Sequence, residues 1–121
     1  MKKVLVVGSL NMDMVLSVDH HPVPGETIIG DGITYHPGGK GANQAYAVGK
    51  LGGDVRIIGC VGWDNNGMIL TENLAQAGVD TTAINRMPEA PTGMAIIDVD
   101  KKGDNSIIVI SGANACLTPD L

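Results

Sequence analysis

Residues 35–45 read YHPGGKGANQA, a glycine-rich turn with a single lysine that feeds directly into a helix-forming stretch. Such a turn invites comparison with phosphate loops, and two templates set strict offsets. A P-loop requires Ser or Thr immediately after its Gly-Lys pair, because that hydroxyl holds magnesium. Here Gly39 and Lys40 are followed by Gly41, and Thr34 stands where the loop's first glycine belongs. The dinucleotide fingerprint asks for three glycines after a strand. Gly39 and Gly41 are followed by Gln44 at the third place, and no strand is expected to end at the first. Neither template fits.

The chemistry of the stretch points instead to hydroxyl groups. Gly38, Gly39 and Gly41 let a ligand approach the backbone, and amides at a helix N-terminus donate to oxygen. Lys40 adds a charged donor, and Asn43 adds an amide that both donates and accepts. A lysine at a helix N-terminus opposes the helix dipole, so its placement there suggests a use in a site rather than plain solvation. Upstream, Asn11 and Asp13 stand two apart just past an expected first strand, so on extended backbone both face the same way. They form either the turn leaving that strand or part of the crevice at the carboxyl end of a parallel sheet, where α/β proteins bind ligands. Asp13 accepts hydroxyl protons, whereas a carboxylate aimed at phosphate would repel it. Asn11, Asp13, Gly39, Lys40 and Asn43 together match a polyhydroxylated ligand.

On either side of this stretch, strand and helix signals alternate. Residues 3–9, KVLVVGS, form a continuous β-branched run expected to be a strand buried on both faces, and 14–18 continue as a second extended piece before the HPVPGE turn. Residues 27–36 suggest two short strands around Gly30–Gly32. A helix rich in small residues follows from Gly41 to Leu51 and stops at Gly52-Gly53. Residues 55–62 read as another buried strand. Asp64 or Asn65 then caps a helix over about 67–77, with Ile69, Leu70, Leu74 and Ala77 on one face and Gly78 as its stop. This alternation predicts an α/β parallel sheet. Residues 92–100 and 105–112 differ, being β-rich runs joined by the hairpin turn KKGD, which adds an antiparallel patch. Near the end, Thr118, Pro119 and Asp120 read as a helix start.

Composition narrows the function classes. A net charge of −5 and only three aromatic residues, Tyr35, Tyr46 and Trp63, argue against nucleic acid, which favours clustered cations and stacking rings. Tyr46 and Trp63 read as packing residues rather than site residues. The apolar run after Lys2 and Lys3 ends at Gly8, too short for a signal peptide or membrane span, so a cytoplasmic protein is expected. Cys60 and Cys116 lack metal or redox spacing and read as buried thiols. His20 and His21 are adjacent, and neighbours on an extended chain diverge, so no metal site is expected there. At 121 residues the chain is about one domain long.

The segments VVGSLNMD, PVPGET, GGKGANQAYAVGKLGGDV, GCVGWDNNG, TGMAIIDVD and SGANACLTP, in this order and spacing, resemble the ribokinase-like (pfkB) family of sugar kinases over essentially the whole chain. The resemblance implies a Rossmann-like α/β fold, a parallel sheet flanked by helices, with a small antiparallel β lid. Residues 1–121 would be the N-terminal part of one such domain, with lid segments near 14–18, 28–36, 93–100 and 105–110. It implies that Asn11, Asp13, Gly39, Lys40 and Asn43 bind the hydroxyls of D-ribose, with Ala95 and Val109 as apolar lid contacts, and that the lid joins two subunits into a homodimer. It also implies ATP, Mg2+ and a monovalent cation as cofactors, and transfer of phosphate to the terminal hydroxyl. A fructose or nucleoside substrate, or a non-catalytic sugar-binding module, are the alternatives. The family's Gly-Ala-Gly-Asp stretch, with its anion hole and catalytic base, and its magnesium-organising Asn-x-x-Glu motif do not occur in these 121 residues, so the C-terminal half of the fold is expected to be missing and the piece inactive alone.

Overall fold

The apolar run near the start forms β1 (Lys3–Val7), which pairs in parallel with β4 (Asp54–Gly62), and β4 pairs in parallel with β5 (Ile84–Met87). These three strands make a sheet in the order β1-β4-β5 in the computed structural model, which describes residues 2–121. A second sheet has the order β3-β2-β6-β7, from β2 (Asn11–Ser17), β3 (Gly32–Gly38), β6 (Gly93–Val99) and β7 (Asn105–Ile110). Its outer pairs are antiparallel, as the hairpin turn before β7 requires, while the central pair β2 and β6 is parallel.

Two helices pack between these layers. Helix α1 (Lys40–Lys50) lies on β4 and β1 through Ala42 and Ala45, whose small side chains permit the close approach that the sequence suggests. Helix α2 (Asn65–Gln76) is capped by Asp64, which accepts from the Gly67 amide at 2.8 Å. Both helices stop at the expected glycines, Gly52 (φ 83°) and Gly78 (φ 90°). Leu70 and Leu74 of α2 reach a core that joins Val55, Ile57 and Val61 of β4 to Leu10 and Met12 beside and within β2. The start of the second sheet is thereby fixed to the first.

Several expectations are corrected. β1 ends at Val7 and is not buried on both faces: Leu5 and Val7 are 58% and 61% exposed because they point to the face opposite α1, beside Arg56 and Ile58. Residues 27–31 form no strand, leaving β3 alone in that region, and β3 runs directly into the glycine turn. Asn11 and Asp13 lie past the end of β1, as expected, and there they open β2 on extended backbone that turns both to one face, rather than forming a turn. Ile69 faces solvent, since Leu70, Leu74 and Ala77 already fill the inner stripe. Trp63 is exposed as well; its indole N–H donates to the Arg86 carbonyl at 3.1 Å, and the Arg86 guanidinium lies 4.0 Å from the ring centroid. Tyr46 is exposed too. Residues 119–120 form a turn, after a short 3-10 helix, η1 (Gly112–Cys116). Cys60 is buried and Cys116 half-buried, both free thiols. Among the described residues no helix is long and apolar enough to cross a membrane. His20 and His21 take separate partners, Asp19 and Glu26 for the first, Asp100 for the second.

Candidate functional site

The start of β2, the end of β3 and the N-terminus of α1 meet at one place. β2 and β3 pair Asn11 with Gly38 and Asp13 with His36, so these four residues face the same side of the sheet. The Asp13 carboxylate lies directly over Gly38, where any Cβ would collide with it. Gly39 then turns the chain into α1 with φ 97°, a conformation that side chains rarely adopt, and a Cβ there would lie 2.6 Å from the Ser9 carbonyl oxygen. The paired glycines therefore have separate reasons: Gly38 makes room for Asp13, and Gly39 makes the turn.

Burial pushes the Asp13 carboxyl above the usual carboxylate range, and the charge of His36 pulls it partly back. Such a half-buried carboxylate gains from donors that satisfy it, which sugar hydroxyls supply. Asn11 is oriented by a residue that the sequence did not single out. Asn114 in η1 donates to the Asn11 Oδ1 at 2.8 Å and to the Leu10 carbonyl at 3.0 Å, while accepting from the Leu10 amide at 3.0 Å. This clamp turns the Asn11 oxygen toward Asn114 and leaves its NH2 as a donor.

Lys40 is the first residue of α1 and is exposed. Asn43 lies one turn on, with its amide bonded to the Gly39 carbonyl at 2.8 Å. Its side chain lines a cavity of about 290 Å³ with His36, Tyr46 and Asn73, over Leu70 and Leu74. The structure thus brings Asn11, Asp13, Gly38 and Gly39 into direct contact and sets Lys40 and Asn43 at the mouth of the adjoining helix. Ala95 is opposite Asp13 on β6 and buried, whereas Val109 is one strand further out, about 10 Å from Asp13 by strand spacing, and exposed.

A second cluster fixes the neighbouring backbone. The Thr92 hydroxyl, 2% exposed, donates to Asp64 at 2.5 Å and accepts from the Gly62 amide at 2.9 Å, and the Thr92 amide donates to the same carboxylate at 2.9 Å. Burial alone would raise the Asp64 pKa, but these bonds outweigh it and lower it. The cluster ties the entry of β6 to the start of α2.

A profile of the pfkB family carbohydrate kinases matches residues 1–121. The chain belongs to the pfkB family of carbohydrate kinases. Among its relatives, the ribokinase of Haemophilus influenzae is 47% identical over 117 residues, covering 97% of this chain and 38% of that protein. Among solved structures, ribokinase from Thermotoga maritima matches with a TM-score of 0.90 and 46% identity, over 98% of this chain and 39% of that one. Arabidopsis thaliana ribokinase complexed with ribose and ATP matches with a TM-score of 0.86 and 36% identity, over 92% and 36%. The chain therefore spans less than half the length of these pfkB-family relatives, and its fold is the ribokinase-type α/β fold that the sequence suggests.

Proposed function

We propose that this chain supplies the sugar-binding side of an ATP-dependent kinase that phosphorylates the terminal hydroxyl of D-ribose. The observation that carries this reading is the half-buried Asp13 carboxylate seated on the Gly38 backbone, beside the NH2 of Asn11 and the Gly39 turn. Asp13 accepts two hydroxyl protons, Asn11 and Lys40 donate, and Asn43 does both. Similarity to ribokinases supports the choice of pentose.

The residues around Asp13 do not fit the phosphates of a nucleotide, because the carboxylate would repel them, and among the described residues no group of three His, Cys, Asp or Glu could hold a metal ion. The resemblance to the family places the nucleotide and its Mg2+ in parts of the kinase outside these residues. On this reading the 121 residues by themselves bind sugar weakly at best and transfer no phosphate. The four-stranded sheet acts as the lid over the sugar, and its exposed edge strand β7 joins a second copy of the chain.

Calorimetry with D-ribose, 2-deoxyribose, fructose and adenosine tests the assignment. D-ribose should bind most tightly, Asp13→Ala should abolish that binding, and Asn43→Ala should weaken it by about 1–3 kcal/mol, the usual cost of an unpaired buried partner. Preference for another ligand would reassign the substrate, and unchanged ribose affinity in Asp13→Ala would remove Asp13 from the site.

A further inference from the structure

Asn11 has glycine on both sides of it across the sheet. Gly38 of β3 stands opposite on one side and Gly93 of β6 on the other. A Cβ on Gly93 would collide with both the Asn11 Oδ1 and the Asn114 Nδ2, so the bare backbone there leaves the space that the Asn11–Asn114 hydrogen bond occupies. Asn114 is brought to that place by η1, which is seated on the residues before β6: Ala113 is fully buried, and its amide donates to the Pro91 carbonyl at 2.7 Å. From there the Asn114 side chain meets the amide and the carbonyl of Leu10 and the side chain of Asn11 together.

We propose that Asn114 is a positioning residue that fixes which end of the Asn11 amide faces the sugar, and so makes Asn11 a hydrogen-bond donor to it. The inference rests on the sugar-binding reading of the site. A side-chain amide can turn end for end, but Asn114 has no such choice. The Leu10 amide only donates and the Leu10 carbonyl only accepts, so the Asn114 oxygen must face the first and its NH2 the second. The remaining proton of that NH2 points at Asn11, which can answer it only with its oxygen. Orientation thus passes from backbone to Asn114 to Asn11, whose NH2 is turned away from Asn114 and left for the ligand. Asp13, on the same face of β2, accepts hydroxyl protons. A hydroxyl has one proton to give and lone pairs to receive with, so a donor beside an acceptor suits it. With the Asn11 amide reversed, two acceptors would compete for that proton.

The test combines hydrogen exchange of the asparagine side-chain amides, read by NMR, with D-ribose affinity by calorimetry. It uses the wild-type chain, Asn114→Asp, Asn114→Ala, Asn11→Ala and the two double variants that carry Asn11→Ala. In the sugar-free wild type the Asn114 amide protons should exchange slowly and those of Asn11 fast, and ribose should slow the latter. Asn114→Asp replaces the donor by an acceptor, so Asn11 should turn its NH2 inward, exchange slowly without sugar, and bind ribose about tenfold more weakly, the scale of one hydrogen-bond partner left unpaired. Asn114→Ala merely frees the Asn11 amide and should cost less affinity. On the Asn11→Ala background either substitution should change ribose affinity by no more than about twofold, as for uncoupled sites. An equal loss on both backgrounds overturns the inference, since Asn114 would then act through the Leu10 backbone alone, and so do Asn11 protons that exchange slowly in the sugar-free wild type. Ribose affinity that is absent in the wild type, or untouched by Asn11→Ala, overturns the sugar reading of Asn11 instead, and amide exchange still reports separately whether Asn114 orients Asn11. The wild-type exchange measurement needs no substitution, and Asn114→Ala repeats the cycle without a new charge, so failure of one variant to fold leaves the inference open to refutation.

Discussion

Val55, Ile57 and Val61 of β4 are 1%, 0% and 0% exposed, whereas Ile107, Ile108, Val109 and Ile110 of β7 are 54%, 64%, 60% and 45% exposed. Both strands are β-branched runs that read alike in the sequence. β4 is the central strand of its sheet, with β1 and β5 on its edges and α1 and α2 over it. β7 is an edge strand with one neighbour. Burial is thus a property of place in the sheet, and an apolar edge of this kind favours pairing with another surface. Asn11, Asp13 and Gly38 lie between these extremes, at the ends of β2 and β3, where one end of the outer sheet is anchored in the core by Met12 and the rest extends away from it.

The contrast can be broken by substitution. Leu74→Ala should cost about 2–5 kcal/mol in urea unfolding, as a fully buried leucine leaves a cavity; a loss below about 1 kcal/mol would show that α2 does not seal the core. Asp64→Ala leaves the Thr92 hydroxyl and the Gly67 amide without their partner and should cost about 1–3 kcal/mol. Because the Asp64 pKa is lowered in the folded chain, its contribution is present above the ordinary carboxylate range and lost as pH falls through the lowered value. Stability of the variant should therefore decline less on acidification than that of the wild type. Asp13→Asn should act in the opposite sense. The folded chain holds the Asp13 proton more tightly than the unfolded one, so ionisation weakens the fold as pH rises through that raised pKa, and the amide should raise the melting temperature at pH 7 while ribose affinity is lost. Ile108→Thr on the edge strand should change the stability of the single chain by less than about 0.5 kcal/mol, and a larger loss that grows with protein concentration would show a second copy paired on β7.

Much of this was legible beforehand. Residues with strong local signals fell where expected: the cap Asp64, the stops at Gly52 and Gly78, the β6–β7 hairpin, and the shared face of Asn11 and Asp13 on extended backbone. Strand β5 was not legible, because INRM has too little alternation to declare itself and forms as a strand through its pairing with β4. Asn114 and Thr92 escaped for a similar reason. Their partners lie 103 and 28 residues away, and an asparagine or threonine in a small-residue turn looks like any other. His36 reads in the sequence as one more polar residue before a proline, and only the β2–β3 register sets it against Asp13.

By itself the sequence determined the kinds of element, the turns that separate them and the donor and acceptor chemistry of the Asn11, Asp13, Lys40 and Asn43 set, since propensity, capping and donor or acceptor character are carried by single residues and short spacings. Tertiary structure alone decided which apolar strands are sealed and which stand open, which polar side chains clamp the site from a distance, and which residues stand opposite Asp13 on the neighbouring strands. Those depend on register and on long-range pairing, where a shift of one residue would turn every side chain to the other face.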